Sequence, residues 1–360
     1  MRAATERART TLHSPRSKGS RRAPLPLGQR PRVAVIGTGG TISSVGRDAL
    51  DVWEYMDHGK KLEADELVAG VPDLAAVADV VPVRHRAMSS PAIGPKDWLE
   101  LGALVEAVAA REPRVDGIVI THGTATLEET AYFLNLTSKV AVPIVVVGAQ
   151  RPFSGLSSDA SMNLVGAVRV AGAPEARGLG VLVLLNDEIQ AAREVTKTST
   201  LRLETFRSPD VGMLGYADPD GRVAIYRRPT RRHAPDTEFD VRRAGDLPRV
   251  DIAYSYAGAD GTASAAFIAA GAHGIISASM APGMTATAEM DALLEARRRG
   301  VLVAMSTRAG SGRVLRRTRF REQGLIVADN LNPQKARVLL MLALTVTDDV
   351  ERVQRMFDEY

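Results

Sequence analysis

What most constrains this chain is an alternation, beginning at Val33, of short apolar runs with longer Ala/Leu-rich segments. The runs Val33–Gly37, Gly117–Ile120, Val142–Gly148 and Gly180–Leu185 are nearly continuous in Val, Ile and Leu. Each is followed by a cluster of Gly, Thr, Asn or Asp. A strand with one face in water alternates polar and apolar residues, whereas a uniformly apolar one is buried on both faces. Helix-like stretches Trp98–Ala110, Leu127–Leu136 and Ala160–Ala171 lie between the runs. The pattern predicts an α/β domain with a parallel sheet and right-handed crossovers.

Residues 208–248 change character: Pro209, Asp210, Asp218, Pro219, Asp220, Gly221, Pro229 and Pro235 punctuate a stretch without long apolar runs. This reads as a hairpin-like piece followed by a linker. A second alternation starts at Val250-Asp251-Ile252-Ala253-Tyr254, with strands expected near Gly274–Ser277 and Val301–Met305. Its last helix carries start signals, Asn332 as cap and Pro333 at the first position, before Gln334–Leu344. The expected organisation is a disordered tail over 1–32, a larger N-terminal domain over 33–215, a linker over 216–248 and a smaller α/β domain over 249–360.

The 360 residues carry a net charge of +4, which by itself suggests nucleic acid. However, residues 1–32 hold nine Lys/Arg against Glu6, so the remaining 328 residues hold 37 basic and 41 acidic side chains and sum to −4. The basicity belongs to an Arg/Ser/Pro-rich tail with no apolar periodicity, and a nucleic-acid partner is not expected. Arg21-Arg22 is followed by Ala-Pro-Leu-Pro-Leu-Gly-Gln-Arg, too short and proline-broken for an export signal, so a cytoplasmic protein is expected. No run of 18 or more apolar residues predicts a membrane span. Zero cysteines exclude disulfides and thiolate chemistry. The six histidines show no ligand spacing, so neither metal nor cofactor is expected.

In an open parallel sheet, ligands bind beyond the carboxyl ends of the strands. The first strand is followed by Gly37-Thr38-Gly39-Gly40-Thr41-Ile42. Ile42 breaks the Gly-x-Gly-x-x-Gly spacing of a dinucleotide site, and no Gly-Lys-Ser/Thr follows for a phosphate loop. The second strand is followed by Thr121-His122-Gly123-Thr124-Ala125-Thr126, where Thr126 and Glu129 form a Thr-x-x-Glu capping box. Thr124 then lies near a positive helix end suited to a developing oxyanion. His122 allows a Thr–His dyad, with a packing histidine as the plainer reading. Beyond the fourth strand, Lys197 sits among hydroxyls in Thr196-Lys197-Thr198-Ser199-Thr200, and becomes a base only if desolvated.

Thr38-Gly39-Gly40-Thr41-Ile42 and Thr121-His122-Gly123-Thr124 with Leu127-Glu128-Glu129-Thr130-Ala131 resemble the two signature segments of the bacterial-type L-asparaginase family. Gly148-Ala149-Gln150-Arg151-Pro152, Arg193-Glu194-Val195-Thr196-Lys197-Thr198 and Asn330-Leu331-Asn332-Pro333-Gln334-Lys335-Ala336-Arg337 extend the resemblance. It implies a homotetramer built as a dimer of dimers, acting on a small amino-acid substrate. It also implies that Thr41 attacks the side-chain amide of asparagine, that Tyr55 activates this threonine, and that Thr124 and Lys197 polarise the site. Ser89 would hold the substrate carboxylate, with Gly40, Ser90 and Gly123 beside it. Ala125 departs from the family, which has an aspartate there for the substrate α-ammonium. Gly258 replaces an asparagine, and the stretch 308–313 has no glutamate. Three readings of Ala125 remain open: another carboxylate (Asp57, or Asp260 from a neighbouring subunit) takes the ammonium; the substrate nitrogen is blocked; or the protein binds amino acids without turnover.

Overall fold

The computed structural model describes residues 30–360 apart from 241, 243 and 244. The expected tail therefore lies, up to residue 29, outside the described residues. Eight strands form the large sheet: β1 (Arg32–Gly39), β2 (Asp79–Met88), β3 (Gly117–Thr121), β4 (Ile144–Val147), β5 (Val181–Leu185), β6 (Glu188–Ala191), β7 (Gly215–Ala217) and β8 (Val223–Ile225). Their spatial order is β8-β7-β6-β5-β4-β3-β1-β2. Strands β1 to β5 run parallel, and β6, β7 and β8 add antiparallel neighbours at one end. The expected parallel sheet is thus extended into a mixed one. The hairpin β7–β8 carries it to Ile225, past residue 215, because a two-faced apolar sheet accepts a short antiparallel edge as cover.

The uniform apolarity of the central strands has its expected cause. In β1, Ala34 and Ile36 point into one core while Val33 and Val35 point into another. Strand β3 divides likewise, Ile118 and Ile120 against Val119. Helices α1 (Pro95–Ala109) and α2 (Leu127–Thr137) cover the first face, and α3 (Ala160–Gly172) the second. Strand β2 escaped the sequence reading because it lies at the sheet edge. Its Pro82 and the polar Arg84-His85-Arg86 are what an edge tolerates and a central strand does not.

The small domain holds a parallel sheet, β9 (Val250–Tyr254), β10 (Gly274–Ser279), β11 (Leu302–Thr307) and β12 (Ile326–Val327), in sequence order. Helices α4 (Thr262–Ala269), α5 (Thr287–Arg298), α6 (Pro333–Ala343) and α7 (Val350–Glu359), with a short helix over Thr318–Glu322, complete it. Asn332 caps α6 as expected, its side chain accepting from the Lys335 amide at 3.0 Å. The first core continues without a break from the large domain into α6 and α7, reaching Phe357 and Tyr360.

Polar contacts fix the same seam. Glu128 of α2 accepts from Gln334 at 2.8 Å. Lys335, fully buried, donates to the carbonyls of Arg193 at 2.8 Å and of Val195. Arg193 donates to Asn330 at 2.8 Å. The small domain therefore grips the segment that leads to Lys197.

Beside this seam, burial pushes the Glu129 carboxyl up to about 7, and Arg337 at 3.9 Å only partly offsets it. Its folded value exceeds its unfolded one, so the folded state holds this proton more tightly and stability falls as pH rises from about 4.5 to 7. Glu129→Gln should accordingly be more stable than the parent at pH 8, on the order of 2 kcal/mol, and nearly equal at pH 5. Denaturant unfolding at both pH values and one protein concentration checks it; an equal difference at the two pH values would contradict the assignment.

Among the described residues, no helix is long and apolar enough to cross a membrane. Nor is any group of three or more histidine and acidic side chains placed to hold a metal ion.

Candidate active site

Strand β1 is the switch point of the large sheet: the chain leaves it to pair with β2 on one side and later returns to pair with β3 on the other. The loops after β1 and β3 therefore diverge from neighbouring strand ends and enclose a crevice. Their approach is unusually close. Gly40 has φ +84°, and a Cβ there would lie 2.2 Å from the Gly123 Cα. Only glycine permits this backbone contact. The 88–90 segment after β2 closes the third side, where a Cβ on Gly123 would meet the Ser90 hydroxyl at 2.6 Å.

Thr41 opens a short 3-10 turn directly after Gly40, and its Oγ1 lies 2.8 Å from the Tyr55 hydroxyl. Tyr55 is 6% exposed, and burial raises its pKa above the usual phenol value despite the bond to Thr41. The phenol therefore keeps its proton near neutrality, with Thr41 as its hydrogen-bond partner. Across the crevice, Lys197 Nζ donates to Thr124 Oγ1 at 2.9 Å. Burial alone lowers the Lys197 pKa from its ordinary value. Desolvation with no carboxylate partner favours the neutral amine over the ammonium.

Gly40, Thr41, Tyr55, Ser89, Ser90, Gly123, Thr124, Ala125 and Lys197 all line one cleft of about 770 Å³, open solvent included. Ser90 Oγ accepts from the Ala125 amide at 3.2 Å. The Asp260 of the same chain does not line it: it is exposed on the small domain and accepts from the Thr262 amide at 2.9 Å. Asp57 does not line it either.

The expected capping box does not form. Helix α2 starts at Leu127, but Thr126 Oγ1 donates to the Ser90 carbonyl at 2.9 Å, tying the two loops together. His122 takes no part in a dyad. It is fully buried, its Nδ1 lies 2.8 Å from the Gly123 carbonyl oxygen, and burial pushes its pKa down to about 4, so it stays neutral.

The sequence reading missed Lys61, Trp53, Met56, Gln150 and Leu201, which also line the cleft. Lys61 arrives there through the two-residue ladder that pairs Lys60–Lys61 with Ser44–Val45, a pairing too short to carry a strand signal.

Convergent hydroxyls beside a desolvated amine, at the switch point of an α/β sheet, are the equipment of a hydrolase. The family model described as "Asparaginase, N-terminal" matches residues 32–231, and "Glutaminase/Asparaginase C-terminal domain" matches 249–357. The glutaminase-asparaginase of Pseudomonas fluorescens biotype A is 43% identical over 331 residues, 91% of this chain and 90% of that protein. L-asparaginase 2 of Bacillus subtilis is 41% identical over 92% of this chain and 87% of that protein. The crystal structure of a probable cytoplasmic L-asparaginase from Campylobacter jejuni superposes with a TM-score of 0.87 at 39% identity, covering 92% of this chain and all of that one. The chain belongs to the bacterial-type L-asparaginase family and is an amidohydrolase.

Proposed function

We propose that this protein hydrolyses the side-chain amide of L-asparagine to L-aspartate and ammonia through an ester on Thr41. The observation that carries this reading is the pairing of two hydroxyls across one cleft, Thr41 with Tyr55 and Thr124 with Lys197. Thr41 Oγ1 attacks the amide carbon, and the C–O bond forms as the C–N bond breaks. The threonine proton passes through the Thr124–Lys197 pair to the departing nitrogen, which leaves as ammonia. Water then attacks the ester, releasing the carboxylate and a proton and restoring the Thr41 hydroxyl. Ser89 and Ser90 face the α-carboxylate end, and the amides of the Gly-rich turns supply donors for the oxyanion.

The same reading places the enzyme in the cytoplasm, as the Campylobacter jejuni protein is described, and assembles it as a dimer of dimers. Exposed Tyr226, Tyr254, Tyr256 and Leu315 offer apolar surface for such contacts.

The test is ammonia release from L-asparagine, followed with a coupled assay, together with trapping of the ester by rapid acid quench and mass spectrometry. Release with an adduct on the peptide that contains Thr41 is expected. Silence on asparagine and on every N-acylated asparagine would remove the hydrolase reading in favour of a binding protein.

A further inference from the structure

The walls of the cleft carry two lysines, Lys61 and Lys197, and no aspartate or glutamate among the described residues. Two carboxylates lie near enough to influence Tyr55, but both are committed behind the wall. Asp159 accepts from the amides of Gln150 and Arg151, each at 2.9 Å, and from Asn163. Asp51 accepts from the Arg47 amide and guanidinium. The Lys61 side chain makes no hydrogen bond or ion pair with the described residues, so its ammonium is free to meet an anion. A substrate with a free α-ammonium brings a further cation in beside Lys61 and meets no counter-charge from this chain.

The mouth of the same cleft is apolar. Val52, Trp53, Met56 and Leu201 line it and are 40%, 59%, 54% and 61% exposed. These are large side chains left in water at the place where a substituent on the substrate would emerge.

We infer that the substrate this site prefers over free L-asparagine carries a blocked, uncharged α-nitrogen: an N-acylated asparagine whose acyl group lies against Trp53 and Leu201 and whose α-carboxylate is met by Lys61. This rests on the amidohydrolase reading and names its substrate class. Chemistry is unchanged: the C–N bond of the terminal amide breaks, ammonia leaves, and the N-acyl bond survives into N-acylaspartate. Acylation removes the positive charge, and the acyl group covers apolar surface that free asparagine leaves wet.

The experiment compares kcat/KM for L-asparagine, N-acetyl-L-asparagine and N-hexanoyl-L-asparagine in the full-length protein. Both acylated substrates should exceed free asparagine by at least about tenfold, the hexanoyl compound by more, with ammonia as the released product. Ala125→Asp sets a carboxylate on the exposed cleft wall and should shift the preference toward free asparagine by at least about tenfold. Trp53→Ser should raise KM for the hexanoyl substrate and leave the acetyl substrate nearly unchanged. Free asparagine preferred by the parent protein, with a Thr41 ester still trapped, overturns this inference and leaves the amidohydrolase standing. Release of acetate or hexanoate in place of ammonia overturns it as well. A Trp53→Ser variant that affects both acyl lengths equally removes the apolar mouth as acyl site.

Discussion

Thr41→Ala is expected to lower kcat for ammonia release by at least about a thousandfold, because a hydrolase that loses its nucleophile keeps only binding and oxyanion stabilisation. The fold should survive, since Thr41 is only partly buried, at the edge of a cleft, and its side chain has one hydrogen-bond partner, Tyr55. Substrate binding should persist, with KM or a calorimetric Kd changed by no more than a few fold. Thr41→Ser retains the hydroxyl and should retain measurable turnover, whereas Tyr55→Phe should lose less than Thr41→Ala, as fits a group that orients the attacking oxygen. The trapped ester must vanish in Thr41→Ala. A Thr41→Ala enzyme with more than a tenth of the parent kcat would transfer the attack to another group, and Thr124 would be the next to test.

That Thr41 and Thr124 stand out in the sequence follows from the physics of strand ends. A strand buried on both faces is a legible apolar run, and its end is legible because glycine and hydroxyl residues interrupt it. Both threonines stand directly after such runs, as does Gly40, whose positive φ only glycine adopts without strain. The switch point was harder to read, because it needs β2, and an edge strand that carries Pro82 and three polar residues in a row has no apolar signature. The capping box at Thr126 failed for a different reason. Its hydroxyl had two partners within reach, the helix amides and the Ser90 carbonyl, and local spacing records only the first. Lys61, Trp53 and Leu201 enter the cleft through tertiary folding of irregular segments, for which no period exists in the sequence. The sharing of one core between the two domains is of the same kind: α2 reads as a helix-like stretch and α6 through its start signals, but neither as the other's partner. The seam they form is what fixes the loop bearing Lys197, through Lys335 and the carbonyls of Arg193 and Val195.

Lys197→Met keeps the aliphatic stem and removes only the amine, and should reduce kcat by about 10²- to 10⁴-fold, the range for a lost general acid–base group. The direction of the pH dependence is set by burial. Desolvation penalises the ammonium, so the Lys197 pKa lies below its ordinary 10.5 and the neutral amine appears at lower pH than on a free lysine. As pH rises toward that value the fraction of neutral base grows, and kcat should climb through the alkaline range. Lys197→Met should lack this climb while Tyr55, whose pKa is shifted upward, remains present in both proteins. Thr124→Ala breaks the 2.9 Å contact without removing the amine, and should reduce kcat while leaving a climb of the same sign. Because Thr124 Oγ1 has no hydrogen-bond partner other than Lys197 among the described residues, added small primary amines should restore part of the Lys197→Met rate, with smaller amines restoring more. A Lys197→Met enzyme within fivefold of the parent, or one with an unaltered alkaline climb, would remove the lysine from the proton path and leave it as a positioning contact for Thr124.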